Sequence, residues 1–491
     1  MSVVIAIDAG TTGVRAFAVD ERGQPAGWSY REFPQYFPRP GWVEHDAEEI
    51  WTAVTDVLGE LTGMLTQPVA AIGITDQRET VVAWSRSTGE PRHRAIVWQD
   101  RRTATRCDEL REAGHLPLVR ERTGLVLDPY FSGSKIEWLL TEGGVANDAD
   151  LAVGTIDAWL MWKLTNGTVH ATEPSNASRT MLFDISTLLW SEELCDLFGV
   201  PMQALPEVRP SSGRFGVVSC GVAGVDGVPI SGVAGDQQSA LFGQACVEVG
   251  MTKNTYGTGS FVLMNVGESC PPPVDGLLTT VGWQLTERGP TTYAYEGAIF
   301  VTGAAIQWLR DGLGIIREAS EIGPLAATID DTEGVFVVPA FTGLGSPYWD
   351  PYARGTIVGI TRGTTKAHLA RAVVEAIAYQ TRDAVEAMSE ASGHSVRALR
   401  ADGGASVMDL LLQLQADQLQ VPVARPVVQE TTALGAAYLA GLAEGVWGSL
   451  DELTEYWQLD KEFQPVVPPG AADAKHAQWR RAVERSRNWE S

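Results

Sequence analysis

At 491 residues the chain exceeds the size at which one apolar core usually keeps growing, so two domains are the default expectation. Its composition, 44% hydrophobic and 20% charged, is that of an ordinary globular protein, and no apolar run reaches the length of a membrane span. With 61 acidic against 37 basic residues the formal charge is −24, which disfavours nucleic acid or an anionic membrane as a partner but leaves room for a locally basic anion site.

From the N-terminus, Val3 to Ala6 and Val14 to Val19 read as two strands joined through the turn DAGTTG, Asp8 to Gly13. Asp46-Ala-Glu-Glu49 resembles a capping box with Glu49 at N3, opening a helix whose apolar stripe is Ile50, Trp51, Val54, Val57, Leu58 and Leu61. Val69 to Ile74 reads as a strand that ends abruptly in TDQRET, Thr75 to Thr80, as in a sheet whose strand ends face a cleft. In PISGVAGDQQ, Pro229 to Gln238, a carboxylate (Asp236) again follows an apolar, glycine-rich strand directly. Lys253 to Asn265, KNTYGTGSFVLMN, repeats the arrangement of the N-terminus with a Gly-Thr turn between apolar segments, and Asp402-Gly-Gly-Ala405 is a third polar glycine turn. Two such units point to duplicated α/β domains, residues 1–249 and 250–491. Further helices are predicted over Lys366 to Met388, Met408 to Gln420 and Thr431 to Leu442, the last so rich in small residues that it must pack closely against a neighbour. A charged terminal helix ending near Trp489 follows the break at Val466 to Gly470.

Several chemistries are absent from these patterns. The five cysteines have no CxxC spacing, no HExxH or GxSxG is present, and the first strand is followed by AGTTG rather than GxGxxG. A reduced, cytoplasmic setting is expected, since the N-terminus also lacks the basic start and apolar core of a signal peptide. Phosphoryl transfer remains. Backbone N–H groups in glycine turns can surround phosphate oxygens, and threonine hydroxyls add donors, although DAGTTG alone is equally explained as a longer hairpin and lacks a Walker A ending. Asp236 reads either as a base accepting a proton from an attacking hydroxyl or as a cap for the helix that follows it. Arg78 and Glu79 read either as a polyol clamp or as a surface ion pair, and Trp98 and Tyr130 either as ligand walls or as core.

The full set of motifs goes further: DAGTTG, FPRPGWVEHDAEEIW, GITDQRETVV, AIVWQDRRT, TGLVLDPYFSGSK, GTIDAWLMWKLT, SNASRTMLF, AGDQQSALFGQ, KNTYGTGSF, GAAIQWLRD, FTGLGSPYWDPYARG and DGGAS. Over nearly its entire length the chain resembles the FGGY family of carbohydrate kinases, within the actin-like, hexokinase-like ATPase superfamily. QRET, IVWQ and DPYFSG are most similar to its glycerol-phosphorylating branch. The resemblance implies two actin-like (ribonuclease H-like) α/β domains with an interdomain catalytic cleft. It also implies transfer of the ATP γ-phosphoryl group to glycerol, with ADP as product and Mg²⁺ as cofactor, and a homodimer or homotetramer. Less similar alternatives are a kinase of another small polyol or ketose, or a non-catalytic actin-like ATP-binding switch.

By the same resemblance Arg78, Glu79, Tyr130 and Asp236 bind glycerol hydroxyls with Gln237 beside them, Trp98 and Phe261 wall the carbon chain, and Asp236 is the base. Thr11, Thr12, Gly13 and Arg15 form the first phosphate turn, and Thr258, Gly303, Gln307, Gly404 and Met408 lie on the nucleotide side. Asp8, with Asp236, organises the metal. Gly13 stands where the family commonly has serine, and Met408 where it commonly has asparagine beside the adenine. Gly221 to Val228 lacks the glycine-and-arginine loop that binds fructose 1,6-bisphosphate in some members, and the histidine phosphorylated in others is missing, so neither control is expected here.

Overall fold

The computed structural model describes residues 2–490. Two mixed sheets form its framework. The first contains β1 (Val3–Ala9), β2 (Gly13–Asp20), β3 (Pro25–Glu32), β4 (Val69–Asp76), β5 (Ser212–Val217) and β6 (Pro229–Gly235), in the order β5-β6-β4-β1-β2-β3. The second contains β7 (Thr252–Tyr256), β8 (Ser260–Gly267), β9 (Leu278–Gln284), β10 (Thr291–Ile299), β11 (Leu399–Asp402), β12 (Val423–Pro426) and β13 (Leu459–Phe463), in the order β9-β10-β8-β7-β11-β12-β13.

The two share one plan. In each, the opening strand pairs antiparallel with the next and parallel with a later one, as β1 does with β2 and β4, and β7 with β8 and β11. The duplication read from the two Gly-Thr turns is therefore present in the topology. Strands β1, β4 and β6 run parallel in adjacent positions, with Ala9 opposite Asp76 and Asp76 opposite Gly235. Their carboxyl ends, and with them Asp8, Asp76 and Asp236, meet at one edge of the sheet, where open α/β sheets hold ligands.

Strand β1 is apolar on both faces because it is covered on both. Val3, Ile5 and Ile7 join Ile50, Val54 and Val57 of helix α1 (Ala47–Met64), whereas Val4 and Ala6 join Ala436, Leu439 and Ala440 of the helix Thr431–Ala443. The helices used below are α2 (Asp236–Gly243), α3 (Lys366–Ser392), α4 (Asp409–Leu419), α5 (Thr431–Ala443) and α6 (Pro469–Ser486). Helices α2 and α5 lie between the two sheets, their apolar residues clustering with Val4 and Ala6 of one and Leu263 and Ala294 of the other.

The small residues of this layer bring backbones together. A Cβ added at Gly73 would lie 2.2 Å from the Ala436 carbonyl oxygen, and one at Gly435 would lie 1.9 Å from that of Ser239. The neighbour predicted for the Thr431 helix is thus the first sheet together with α2. One expectation is corrected at α1: Asp46 does cap it, accepting from the Glu48 N–H at 2.9 Å, but Glu49 accepts from the Tyr36 hydroxyl at 2.8 Å instead of closing a capping box. A nearby phenol outcompetes the local backbone donor. No described helix is long and apolar enough to cross a membrane, and all five cysteines are unpaired.

Candidate active site

The TDQRET segment turns sharply where β4 ends, with Glu79 at φ 62°, and this puts Arg78 and Glu79 inside the protein. Arg78 directs Nε to Asp236 Oδ1 at 3.2 Å, while its terminal nitrogens reach the Tyr130 hydroxyl at 3.2 Å, Gln238 Oε1 at 3.2 Å and both carboxylate oxygens of Glu296. Of these groups Asp236 alone keeps substantial access to solvent, its side chain 30% exposed beside a fully covered Arg78. The surface ion-pair reading of Arg78 and Glu79 is thereby excluded.

Trp98 packs edge-on to Tyr130 (ring centroids 5.7 Å apart) and to Phe261 (6.4 Å), and its Nε1 donates to Thr11 Oγ1 at 2.9 Å. The Arg78 guanidinium sits over the Phe261 ring at 5.7 Å. One end of the cleft therefore combines a half-exposed carboxylate, a fixed guanidinium, a phenol and two aromatic walls. That combination suits a small molecule with several hydroxyls on a short carbon chain. Asp236 is the first residue of α2 itself, after the N-cap Gly235, and from the backbone its Oδ1 accepts only the neighbouring Gln237 N–H at 2.7 Å; the cap expected of Asp236 is not formed, because the helix begins one residue earlier than the sequence suggests.

Two hairpin tips carry the glycine turns, the first in contact with Trp98. Gly10, Thr11 and Thr12 close β1–β2 with the Gly10 N–H bonded to the Gly13 carbonyl at 3.0 Å, and Gly257, Thr258 and Gly259 close β7–β8 with Gly257 bonded to Gly259 at 2.8 Å. Both turns are hairpins, and both hold glycine and threonine at partly open tips. The Gly303 N–H bonds to the Gly257 carbonyl at 3.0 Å, which ties the helical start at Gly303 to the second tip. A cleft of about 790 Å³ extends from there, lined by Thr258, Gly303, Gln307, Gly404 and Met408 together with Ile306, Arg310, Ser320 and Pro324. All five residues assigned to the nucleotide side by resemblance are thus brought together, from three separate segments.

Gly13 has a local explanation. A Cβ there would lie 2.5 Å from the Tyr30 hydroxyl and 2.6 Å from the Arg31 carbonyl oxygen, so Tyr30 fills the space that a serine side chain would enter. Arg15, opposite Asp8 in the β1–β2 register, pairs with Glu430 at 3.4 Å. Burial pushes the Asp8 carboxyl up to about 6; Arg15 opposes the shift, and Asp236 and Glu430 add to it. Such crowded negative charge fits a divalent cation. Among the described residues no three His, Cys, Asp or Glu side chains converge on a metal position, so Asp8 and Asp236 suit an ion held mainly by water and ligand oxygens, the habit of Mg²⁺.

Sequence reasoning missed the supports. Glu296 on β10 binds Arg78 and, at 2.9 Å, Arg179 Nη2, while Arg179 Nε donates to Glu79 Oε1 at 2.6 Å. Burial opposes the charge on Glu296, yet the Arg179 and Arg78 guanidiniums outweigh it and hold the carboxyl at about 2. Asp76 accepts from Asn176 Nδ2 at 3.0 Å, and burial, reinforced by Asp157, drives its carboxyl well above the usual range. The available signal was a lone Glu296 inside the otherwise uncharged strand TTYAYEGAI.

Twin sheets of one topology, each with a Gly-Thr hairpin tip, and a ligand-sized cleft beside the second tip are the architecture of the actin-like, hexokinase-like class. Comparison with known proteins narrows this. Residues 3–243 match the N-terminal domain of the FGGY family of carbohydrate kinases and residues 252–444 its C-terminal domain. The chain is 54% identical to a glycerol kinase of Dechloromonas aromatica, over 99% of this chain and 98% of that protein, and 54% identical to glycerol kinase 2 of Thermotoga maritima over the full length of both. A crystal structure of Plasmodium falciparum glycerol kinase with ADP superimposes with a TM-score of 0.93 at 35% identity, covering 99% of this chain and 98% of that one. A xylulose kinase of Lactobacillus acidophilus shares the fold, with a TM-score of 0.89 at 22% identity. The chain belongs to the FGGY family of carbohydrate kinases, and it is a phosphotransferase acting on a small polyol or sugar with a nucleotide as donor.

Proposed function

We propose that the protein transfers the γ-phosphoryl group of ATP to glycerol, giving sn-glycerol 3-phosphate and ADP. The observation that carries this reading is the closed inventory of the acceptor pocket: Arg78, Asp236 and Tyr130 for hydroxyls, Trp98 and Phe261 for the carbon chain, and Gln237 alongside. The close similarity to glycerol kinases supports it.

Arg78 and Asp236 orient the acceptor, and Glu79 is the further carboxylate available for a hydroxyl on that side. Asp236 Oδ takes the hydroxyl proton as the oxygen bonds to phosphorus. Proton removal need not precede attack, because a loose phosphoryl-transfer transition state demands little nucleophile activation. The backbone of Thr11, Thr12 and Gly13, the Arg15 guanidinium and Thr258 grip the phosphates, and Gly303, Gln307, Gly404 and Met408 hold the rest of the nucleotide. Mg²⁺, organised by Asp8 with Asp236, would neutralise phosphate charge when bound. Closure of the domains, divided on this reading between residues 249 and 250, excludes water that would compete for the phosphoryl group.

The test is ADP release with glycerol, dihydroxyacetone, erythritol and xylulose as acceptors. Glycerol should give the highest kcat/KM. A faster reaction with a four- or five-carbon acceptor would replace glycerol as the substrate, and ATP binding without turnover on any of them would refute the kinase reading.

A further inference from the structure

Strand β7 carries a lysine, Lys253, that is fully buried. Its Nζ donates to Gln237 Oε1 and, at 2.8 Å, to Thr255 Oγ1. Gln237 follows Asp236 in the first turn of α2, on the acceptor side. Thr255 stands opposite Asp402 in the β7–β11 register, at the head of the Gly403-Gly404 turn whose second glycine lines the nucleotide cleft. Asp402 is itself fixed, accepting from Gln244 Nε2 at 2.6 Å and Thr431 Oγ1 at 2.7 Å. Burial draws the Lys253 ammonium down to about 8; Asp402, Asp236 and Glu296 favour its charge, and Arg78 opposes it.

An apolar side chain would fill this space without the desolvation that a buried ammonium suffers. What the ammonium adds is direction. It fixes which end of the Gln237 amide turns toward β7 and ties the start of α2 to the strand from which the second hairpin tip projects. We infer that Lys253 is a positioning residue that couples the two substrate sites. By joining the helical turn bearing Asp236 to the β7 framework of the nucleotide cleft, it makes occupation of either site favour the other. The inference rests on the function proposed above, and its geometry requires no direct contact between Lys253 and either substrate.

Binding calorimetry measures the coupling without turnover, as the ratio of glycerol dissociation constants without and with a saturating β,γ-methylene ATP analogue and Mg²⁺. Linkage makes the same ratio readable from the nucleotide side, and such couplings usually span about 5–150-fold. Wild-type protein should fall in that range. Lys253→Met should bring the ratio to about 2 or less while nucleotide affinity without glycerol changes by no more than about 2-fold. Lys253→Arg should retain part of the coupling. Gln237→Ala removes the partner and leaves the lysine, so it should lower the ratio as well, and the double variant should lose no more than the single ones. A full wild-type ratio in Lys253→Met, or in Gln237→Ala if Lys253→Met fails to fold, overturns the inference while leaving glycerol phosphorylation standing. Wild-type protein that does not phosphorylate glycerol overturns the functional reading itself.

Discussion

Glu296, on a strand of the second sheet, holds both terminal nitrogens of Arg78, which enters from the end of a strand of the first. The guanidinium is left with one edge, Nε, facing Asp236 at 3.2 Å. A residue remote from Asp236 in sequence thereby sets the orientation of the guanidinium beside it. Replacing it tests that dependence. Glu296→Gln keeps an oxygen acceptor but leaves two buried arginines short of a counter-charge, and breaking a buried pair in this way costs about 3–5 kcal/mol. Thermal denaturation should show the loss, and the KM for glycerol should rise more than that for ATP.

Asp236→Asn should lower kcat by about 10²–10⁴-fold, the usual contribution of a general base, with nucleotide binding retained. ADP release and nucleotide titration together check it. Activity equal to wild type would leave Asp236 with only its structural contacts, the bond from the Gln237 N–H and the pairing with Arg78.

The Asp8 carboxyl, pushed up to about 6 from 3.8 by burial first and by Asp236 and Glu430 after it, sets a pH dependence of stability. The folded state binds the proton more tightly than the unfolded one, so this stabilisation is complete below 3.8 and is lost as pH rises through about 6. Asp8→Asn should therefore raise the melting temperature of the ligand-free protein at pH 8 by the equivalent of about 1–2 kcal/mol, given partial solvent access. The advantage should shrink as pH falls from 6 toward 4. Melting curves across that range decide it, and an advantage that grows toward acid would contradict the assignment.

Gly435→Ala would drive a methyl group into the Ser239 carbonyl, which a Cβ would approach to 1.9 Å. Overpacking of this kind costs about 1–3 kcal/mol or more. Gly470→Ala in α6, where a Cβ meets nothing within 4 Å, is the control and should be stabilising by about 0.4–1 kcal/mol. Urea unfolding of the two variants should move in opposite directions.

Met408 lines the nucleotide cleft with a thioether that is a poor partner for the polar edge of a base. Met408→Asn should improve the preference for ATP over pyrimidine nucleotides by about 10-fold, the worth of one added hydrogen bond. Relative kcat/KM values across nucleoside triphosphates measure it.

The parts of the site that could be read from sequence are those built by a few consecutive residues. DAGTTG and YGTG announce the hairpin tips because glycine and threonine between apolar runs leave few other structures, and Asp236 stands out at the end of an apolar strand. Their common topology followed from the same repetition. Glu296, Arg179, Asp76 and Lys253 stayed hidden for a different reason. Each lies in or beside a segment whose pattern is already explained as strand or helix, and its meaning comes from a partner about 100 or more residues away, as in Arg78 with Glu296 or Arg179 with Glu79, or across the helix layer, as in Lys253 with Gln237. That Arg78 and Glu79 are not a surface pair likewise turned on burial, which spacing does not encode. The failed capping box shows the converse: a local motif was displaced by Tyr36, a group the motif does not contain.

The helix layer between the sheets constrains how the molecule opens. Where Gly435 meets the Ser239 carbonyl, and Gly73 the Ala436 carbonyl, main chain rests on main chain with no side chains to yield between them. Pulling the halves bodily apart would strip these contacts all at once, whereas swivelling about them preserves them. The crossing therefore favours a rotation of one half on the other over their separation.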